Sequence, residues 1–306
     1  MNTERRYLTG LLLLLGCGWG LTQPLTKITV TAGYQPLGLV FWQLLIGAVL
    51  LGALRWRMVG RVPINAKTLA IWLMIASIGT IIPNSTSYRA AFHLPSGIMS
   101  IVIATVPMMA FPIALALRND QFSLRRLAGL ALGLLGVGLI ALPEASLPER
   151  AMIAVLPLAL IAPFCYACEG NIVAKWGTAG LDPIQVLFGA SVIGTAIAFP
   201  LAVSSGHFFV PSAPFIVADF TMVLSAVIHV LVYAGYVWLI GRTGAVFAGQ
   251  VAYIVTGSGV LWAMPLLGES YSLWVWLALV FMALGLMLVQ PRLADDPALR
   301  DTPAHG

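Results

Sequence analysis

The sequence predicts an all-α membrane protein of ten transmembrane helices, arranged as two inverted five-helix repeats. Three observations predict it: the composition, a series of long apolar runs and an internal repeat. Of the 306 residues, 60% are hydrophobic and only 9% are charged, whereas about a quarter of the residues of a soluble domain are charged. With a mean hydropathy of +0.96, most of the surface of this chain must face lipid instead of water.

The apolar runs have the length that a membrane requires. A helix needs about 20 mostly apolar residues to cross a bilayer. The predicted spans are Leu8–Pro24, Pro36–Leu54, Thr68–Tyr88, Gly97–Leu117, Leu124–Leu142, Met152–Asn171, Pro183–Val203, Asp219–Ile240, Ala245–Leu267 and Leu273–Gln290. The first run follows Arg5-Arg6, as a signal peptide would, but no small-residue cleavage site comes after it, so we expect an uncleaved span. The polar tail, residues 291–306, is expected to be cytoplasmic and disordered.

Basic residues are distributed unevenly over the predicted loops. With the N terminus in the cytoplasm, three of the 16 lysines and arginines fall outside, at Lys27, Arg89 and Arg150, and all the others fall inside. Cytoplasmic loops of membrane proteins carry such an excess of basic residues. The split predicts a bacterial-type inner (plasma) membrane protein with both termini in the cytoplasm. Because the formal charge of +5 is spread over short gaps between apolar runs, it does not indicate nucleic-acid binding.

The two halves of the chain match each other at a fixed offset. Ser123-Leu124 aligns with Ser272-Leu273, and Leu135-Gly136 aligns with Leu284-Gly285, an offset of 149 residues in both cases. We therefore predict two repeats, residues 8–142 and 152–290, with the two serines as helix N-caps. Since each repeat has five spans, an odd number, the second must enter the membrane upside down. Inverted repeats of this kind are typical of transporters, with the solute site near the midplane at the repeat interface.

Two segments carry a resemblance to a known family. They read LPSGIMSIVIATVPMMAFPIALALRNDQFSLRRLAGLALGLLGVGLI in the first half and RTGAVFAGQVAYIVTGSGVLWAMPLLGESYSLWVWLALVFMALGLML in the second. Small residues precede a span, an acid follows it, and Ser-Leu opens a glycine-bearing helix. Over nearly the whole chain the sequence resembles the EamA-type branch of the drug/metabolite transporter superfamily. The resemblance implies export or exchange of metabolites, amino acids or drug-like compounds, and it fixes no substrate.

Individual positions match the family pattern unevenly. Gly268-Glu269 and the mid-span Pro107 match it, whereas Asn119-Asp120 keeps only the acid. Gln43 stands where the second span of the family often carries an arginine, so the function of that arginine is not transferred to this chain. We expect both acids to accept backbone N–H bonds at the start of the next helix, where the helix dipole favours negative charge.

Helix-breaking residues occur at corresponding places in the two halves. Pro107 and Pro112 fall in the fourth span, and the run Thr256–Gly259 falls in the partner region of the ninth. Proline removes a backbone hydrogen bond and glycine loosens a helix. We therefore predict that both spans are interrupted beside a cavity, where freed carbonyl groups can be solvated. The alternative is that these small residues only allow close helix packing.

Matching polar stripes lie on the third and eighth spans. The stripe on the third span consists of Thr80, Asn84 and Ser87. The stripe on the eighth span consists of His229, Tyr233 and Tyr236, and both stripes have the spacing i, i+4, i+7. Residues at this spacing share one face of a helix. Because polar groups that face lipid are costly, both stripes should face inward. We predict that they face each other across a central solute path; the alternative is interhelical hydrogen bonding without solute contact.

Other residues are candidates for the same path or for ion coupling. The path is predicted to include Trp19, Tyr88, Pro107, Gln250 and Tyr253. Trp19 either closes the cavity or packs between helices. Glu169 and His229 are the possible coupling residues, the histidine because it titrates near neutrality. Glu169 lies about 27 Å along its span at 1.5 Å per residue, so the preferred interpretation is an interfacial, solvated carboxylate. For His229 the preferred interpretation is a residue that forms a hydrogen bond between helices.

The remaining motifs are interpreted as structural. The pair Cys165 and Cys168 has redox spacing but lies in an apolar run, so no disulfide framework is predicted. The motifs Gly16–Gly20 and Gly129–Gly133 fit close helix contacts, the second either in a homodimer or within one chain. No motif for a metal or a cofactor is present, so no cofactor is expected.

Three functions are compatible with a polytopic membrane protein. The first is a transporter of small solutes, which the matched polar stripes favour. The second is a membrane enzyme, for which the sequence offers no Gly-x-Ser-x-Gly or His-Glu-x-x-His motif and no intramembrane aspartate pair. The third is a non-transporting membrane subunit, which would account for the spans but not for the stripes. We therefore expect a transporter and not an enzyme, with small solutes and the lipid bilayer as partners.

Overall fold

The protein is built from long helices. The computed structural model describes residues 3–56, 64–119, 121–142, 147, 149–243 and 251–289. Its helices are α1 (Thr3–Thr31), α2 (Pro36–Trp56), α3 (Ala66–His93), α4 (Ser96–Ala116), α5 (Leu124–Ala141), α6 (Arg150–Trp176), α7 (Pro183–Ser204), α8 (Val217–Thr243), α9 (Val251–Leu267) and α10 (Leu273–Val289). No strand occurs among the described residues, so the all-α prediction is confirmed.

Not every helix has the length that the sequence predicts for a span. Eight helices, α1 to α8, are long and apolar enough to cross a membrane. The other two, α9 and α10, are apolar but shorter, with 17 residues each. Three predictions lie outside the described residues: those for Asp120, for Gln250 and for the tail at 291–306.

Local sequence signals set where the helices begin and end. The Asn65 side chain accepts a hydrogen bond from the Thr68 N–H at the start of α3, and Asp182 and Gln185 form a capping box at the start of α7. Ser123 and Ser272 do precede α5 and α10, but their hydroxyl groups do not cap these helices. The prediction of side-chain N-caps at the two serines is therefore wrong, although both helices begin where the repeat places them.

Helix pairs repeat between the two halves of the chain. Helix α1 packs on α8 and α9, and α6 correspondingly packs on α3 and α4. In the same way α2 packs on α8 as α7 packs on α3, while the pairs α2–α7 and α5–α10 each join equivalent helices. A pattern that survives exchange of the halves is what a pseudo-two-fold axis produces. The two-repeat architecture inferred from the 149-residue offset is therefore present in the packing.

Helices α5 and α10 meet along a seam of glycines. A Cβ atom built on Gly285 would lie 2.7 Å from the carbonyl oxygen of Gly129, and one on Gly133 would lie 1.8 Å from the sulfur of Met108. No side chain fits in so little space, because packed carbon atoms stay about 3.5 Å or more apart. The Gly129–Gly133 motif therefore serves packing within one chain.

The fourth and ninth spans do not break at equivalent places. Helix α4 is interrupted at Ala104 and Thr105, and it resumes with Pro107 in its next turn. Helix α9, in contrast, runs without interruption through Thr256–Gly259, so the predicted break there is wrong. The reason is packing: a Cβ on Gly259 would lie 2.2 Å from the Ser100 hydroxyl of α4. The small residues of α9 allow neighbouring helices to approach closely.

The outer surface of the helices is strongly apolar. Leu14, Leu134, Leu231 and Leu261 are each exposed over 59 to 68% of their surface, on four different helices. Large apolar side chains exposed on every side are typical of helices surrounded by lipid, because no polar residues are available to cover them. The chain is therefore a multi-pass membrane protein.

Candidate functional site

A chain of hydrogen bonds joins α2, α3 and α6 around Asn84. The Asn84 amide donates to the Gln43 side-chain oxygen at 2.9 Å and accepts from the Tyr166 hydroxyl at 2.8 Å. Tyr88, one turn further along α3, donates its hydroxyl to the same Gln43 oxygen at 2.5 Å. Each link satisfies a polar group that would otherwise be costly between apolar helices. Asn84 and Tyr88 thus belong to one polar network that joins three helices.

The sequence did not single out two members of this network. They are Gln43, which departs from the family pattern on the second span, and Tyr166, which lies between Cys165 and Cys168. A signal was present, because Tyr166 and Glu169 are spaced i, i+3 and so share a face of α6. The face carries a hydroxyl and a carboxylate among apolar neighbours, and such a face should point away from lipid.

Glu169 lies against an irregular turn of α3. Residues Ile75–Ile81 of α3 form a π-helical segment, followed by Pro83, whose missing N–H leaves the Gly79 carbonyl without its usual helical partner. A Cβ atom on Gly79 would lie 2.7 Å from Oε1 of Glu169. The carboxylate is half-buried between two helices, and its interpretation as an interfacial, solvated group stays a prediction. Segments of π-helix are frequent at functional sites, and Thr80 lies within this one.

An aromatic cluster joins α1 to α8. The Trp19 Nε1–H donates to His229 Nδ1 at 3.2 Å. The Trp19 ring also meets Tyr236 at 5.4 Å between centroids and meets Tyr233 edge-on at 5.9 Å. Contacts of this geometry are favourable between aromatic rings. His229, Tyr233 and Tyr236 therefore share one face, as their spacing predicts, and Trp19 packs on that face.

The two stripes do not contact each other among the described residues. Among the described residues, no hydrogen bond or ring contact links the α3 stripe to the α8 stripe. Glu169 interacts electrostatically with the hydroxyls of both Tyr166 and Tyr233. The carboxylate of α6 lies against Gly79 of α3, three residues after Tyr166 of the α3 network, a position that the sequence alone did not reveal.

A small, partly open pocket adjoins the network. Its walls come from α1, α2, α3 and α8 and consist of Thr26, Thr29, Leu39, Gln43, Tyr88, Met222, Ser225 and Ala226. Gln43 and Tyr88 belong to both the cavity wall and the hydrogen-bonded network. The cavity therefore lies at the end of the network that is nearer the C-terminal end of α1. Of the other predicted path residues, Ser87 and Pro107 are half-buried and Tyr253 packs against the main hydrophobic core.

Glu269 forms a second polar cluster at the same end of the molecule. Its carboxylate accepts from the backbone N–H of Ser96 at 2.7 Å and of Gly97 at 3.2 Å, and it also accepts from the Tyr271 hydroxyl. Burial, followed by this bond to Glu269, raises the pKa of Tyr271. Glu269 was expected to cap α10, the next helix; instead it caps α4 in the other half of the chain. The prediction is wrong because Gly268 turns the chain with a φ of +66°, and folding brings the start of α4 to the carboxylate.

Comparison with known proteins gives a family and a fold. A model of the EamA-like transporter family matches residues 8–142 and 153–290. No curated protein matches the sequence. Solved structures do match, in 24 chains. One of them, described only as "Crystal structure of protein", is 16% identical with a TM-score of 0.59, over 93% of this chain and 97% of that chain. At this identity the likeness concerns the fold alone.

Proposed function

Because the chain belongs to the EamA-like transporter family, we propose that it moves small metabolites, amino acids or drug-like solutes across the membrane by alternating access. The observation that carries the proposal is the meeting of polar and aromatic side chains from both halves around Glu169. Transporters built from inverted repeats place their solute site at the interface of the repeats. A purely structural network would not need an adjoining cavity or a carboxylate held between the halves.

The proposed path runs between α1, α3, α6 and α8. Trp19 and Tyr233 form one wall, Asn84 and Tyr88 form the other, and Glu169 lies between them. Of the two coupling candidates, His229 is already engaged by the Trp19 N–H. Glu169 has no hydrogen bond or ion pair within the described part of the chain, so it is the group that remains available to a solute or a coupling ion.

The proposal includes a topology with ten spans in an inner membrane and with both termini in the cytoplasm. It also includes the direction of transport, which is export or exchange. Helices α9 and α10 would rise about 26 Å at 1.5 Å per residue, slightly less than the roughly 30 Å of a typical hydrocarbon core. A short span of this kind is accommodated by local thinning of the bilayer. The family resemblance supports the direction, and the bias of basic residues supports the orientation.

Thiol labelling tests the topology. The cysteines at positions 17, 165 and 168 are first replaced, and single cysteines are then placed at Ile64 and Val210, which are 73% and 65% exposed in loops. An impermeant reagent added to intact cells should label Val210→Cys, while Ile64→Cys should need permeabilised cells. Labelling of both positions from the same side would contradict this arrangement of spans.

Flux measurements test the function itself. The purified protein is reconstituted into sealed vesicles, and uptake and efflux of a panel of metabolites, amino acids and dyes are followed. We expect saturable flux of at least one compound and its loss in Trp19→Ala. Trp274→Ala removes a tryptophan that is 41% exposed on α10 and should behave like the unmodified protein. A folded protein that moves no compound of the panel, or equal flux in all three proteins, would count against the proposal.

A further inference from the structure

We infer that Glu169 binds the positively charged nitrogen of the solute, so that the solutes of this protein are organic cations and amines that carry an apolar group. The inference rests on the proposed function, because it assigns the charge of the solute at the centre of the proposed path. It combines three observations: a carboxylate without a hydrogen bond or ion pair among the described residues, aromatic residues nearby and a glycine packed against the carboxylate.

The first observation is the missing partner of Glu169. A half-buried carboxylate is costly unless a cation or several hydrogen bonds accompany it. Within the described residues neither is present at Glu169. The nearest cation along α6, Lys175, donates instead to the Leu117 carbonyl at 2.8 Å and lies over the Trp176 ring. The carboxylate therefore remains available for a ligand to bind.

The second observation is the aromatic surround of the carboxylate. Tyr166 lies one turn before Glu169 on α6, and Tyr233 interacts with it electrostatically from α8. Behind Tyr233 the rings of Trp19 and Tyr236 continue the aromatic wall at 5.4 Å between their centroids. Ring faces attract ammonium groups, most strongly where water is excluded. An anionic solute would be repelled here, and a neutral one would leave the carboxylate unpaired.

The third observation is the close approach of α3 to the carboxylate. Gly79 faces Glu169 from the π-helical segment of α3, and even one added carbon atom would come within 2.7 to 2.8 Å of the carboxylate atoms. Gly170, the next residue on α6, has no atom within 4 Å of an added Cβ. The contrast shows that glycine is needed sterically at position 79, where it lets the carboxylate occupy the gap between α3 and α6.

Binding of charge-matched probes tests the inference. Detergent-purified protein is titrated with benzyltrimethylammonium, with neutral benzyl alcohol and with anionic phenylacetate, and binding is followed by calorimetry. We expect the cation to bind best. Removing one member of a buried charge pair weakens binding by about 30-fold or more, so the affinity of Glu169→Gln for the cation should be lower by this factor. Glu149→Gln, which changes an exposed acid before the first turn of α6, should bind as the unmodified protein does.

Two outcomes would overturn the inference. One is equal cation affinity in the unmodified protein and in Glu169→Gln; the other is binding of benzyl alcohol or phenylacetate as tight as that of the cation. If Glu169→Gln does not fold, Glu169→Asp, which withdraws the carboxylate by one methylene, should weaken cation binding without affecting the neutral probe.

Vesicle flux separates the two proposals. Cation binding without flux of any solute defeats the transport function, whereas flux of other solutes without cation binding defeats this inference alone.

Discussion

Two glutamates of this protein lie at the ends of apolar helical runs in the sequence, yet their surroundings differ completely. Glu269 accepts hydrogen bonds from two backbone N–H groups at the start of α4 and from the Tyr271 hydroxyl. Glu169 of α6 lies against α3 and has no such partner in the described part of the chain. A carboxylate with several donors stabilises a structure, whereas one left without them is available for a ligand.

The difference also separates fold from function in the molecule. The cluster around Glu269 joins the loop before α10 to the start of α4 and so fastens one half of the chain to the other. The cluster around Glu169 is flanked by a π-helical segment, an aromatic wall and a nearby cavity. We expect changes at the first glutamate to alter stability, and changes at the second to alter solute binding.

The largest effect is expected from removing the charge of Glu269. Hydrogen bonds to a charged group contribute about 1.5–3 kcal/mol each, so Glu269→Gln should lower the free energy of unfolding by about 3 kcal/mol. Glu169→Gln should leave it unchanged or raise it, since it removes a charge that has no hydrogen bond or ion pair among the described residues. Thermal unfolding of both variants in the same detergent measures the contrast. Equal losses of stability would mean that both carboxylates are structural.

The next largest effect is expected at the aromatic wall. Tyr233→Ala removes a ring that contacts Trp19 edge-on at 5.9 Å, and with it the contact area offered to a solute. The loss should be about 2 kcal/mol of solute binding, of which an aromatic pair alone accounts for roughly 1 kcal/mol. Tyr233→Phe keeps the ring and should lose less.

Affinity for the best solute of the vesicle panel measures this difference. Tyr7→Ala, at a tyrosine that is 62% exposed near the start of α1, is the matched control and should bind normally. If Tyr233→Phe loses as much affinity as Tyr233→Ala, the hydroxyl and not the ring carries the contact.

A smaller effect is expected from filling the space beside Glu169. In Gly79→Ala the new methyl group must displace the carboxylate, which lies at the flexible end of its side chain, so the fold should tolerate the change. We expect about a tenfold loss of cation affinity, equivalent to about 1.4 kcal/mol, with normal thermal stability. Gly170→Ala adds the same methyl group in open space and should bind normally. A large loss of stability in Gly79→Ala would show that the glycine serves packing alone.

Much of the fold could be predicted from the sequence because lipid imposes simple rules. The apolar runs and the 149-residue offset predict the helices and their two-fold pairing, since a spanning backbone must satisfy its own hydrogen bonds. The continuity of α9 could not be predicted in the same way. Glycine and serine permit either a break in a helix or a close contact between helices. Which of the two occurs depends on the side chains of the neighbouring helices α1 and α4.

The site was predicted in part for a related reason. A spacing of i, i+4, i+7 identifies a shared face, so the composition of each stripe could be read from one helix at a time. The partners of a stripe depend on helix packing: Asn84 bonds to Gln43 and Tyr166, and the α8 stripe packs on Trp19. The cap that Glu269 provides to a distant helix is equally invisible in the sequence, because a local motif gives no information about which helix start lies nearby.

The smallest effect is expected at the hydroxyl that supports Glu269, and it tests the comparison most directly. The Tyr271 hydroxyl donates to Glu269 and accepts from the Gly97 N–H at 3.1 Å, so Tyr271→Phe should cost about 1 kcal/mol of stability. Residues of one network are not additive, whereas distant sites are. Tyr271→Phe should therefore cost clearly less in the Glu269→Gln background, because its acceptor charge is already gone. In the Glu169→Gln background it should cost the full amount. Thermal unfolding of the three single and two double variants measures both couplings, and a coupling to Glu169 as large as that to Glu269 would mean that the two glutamates belong to one network.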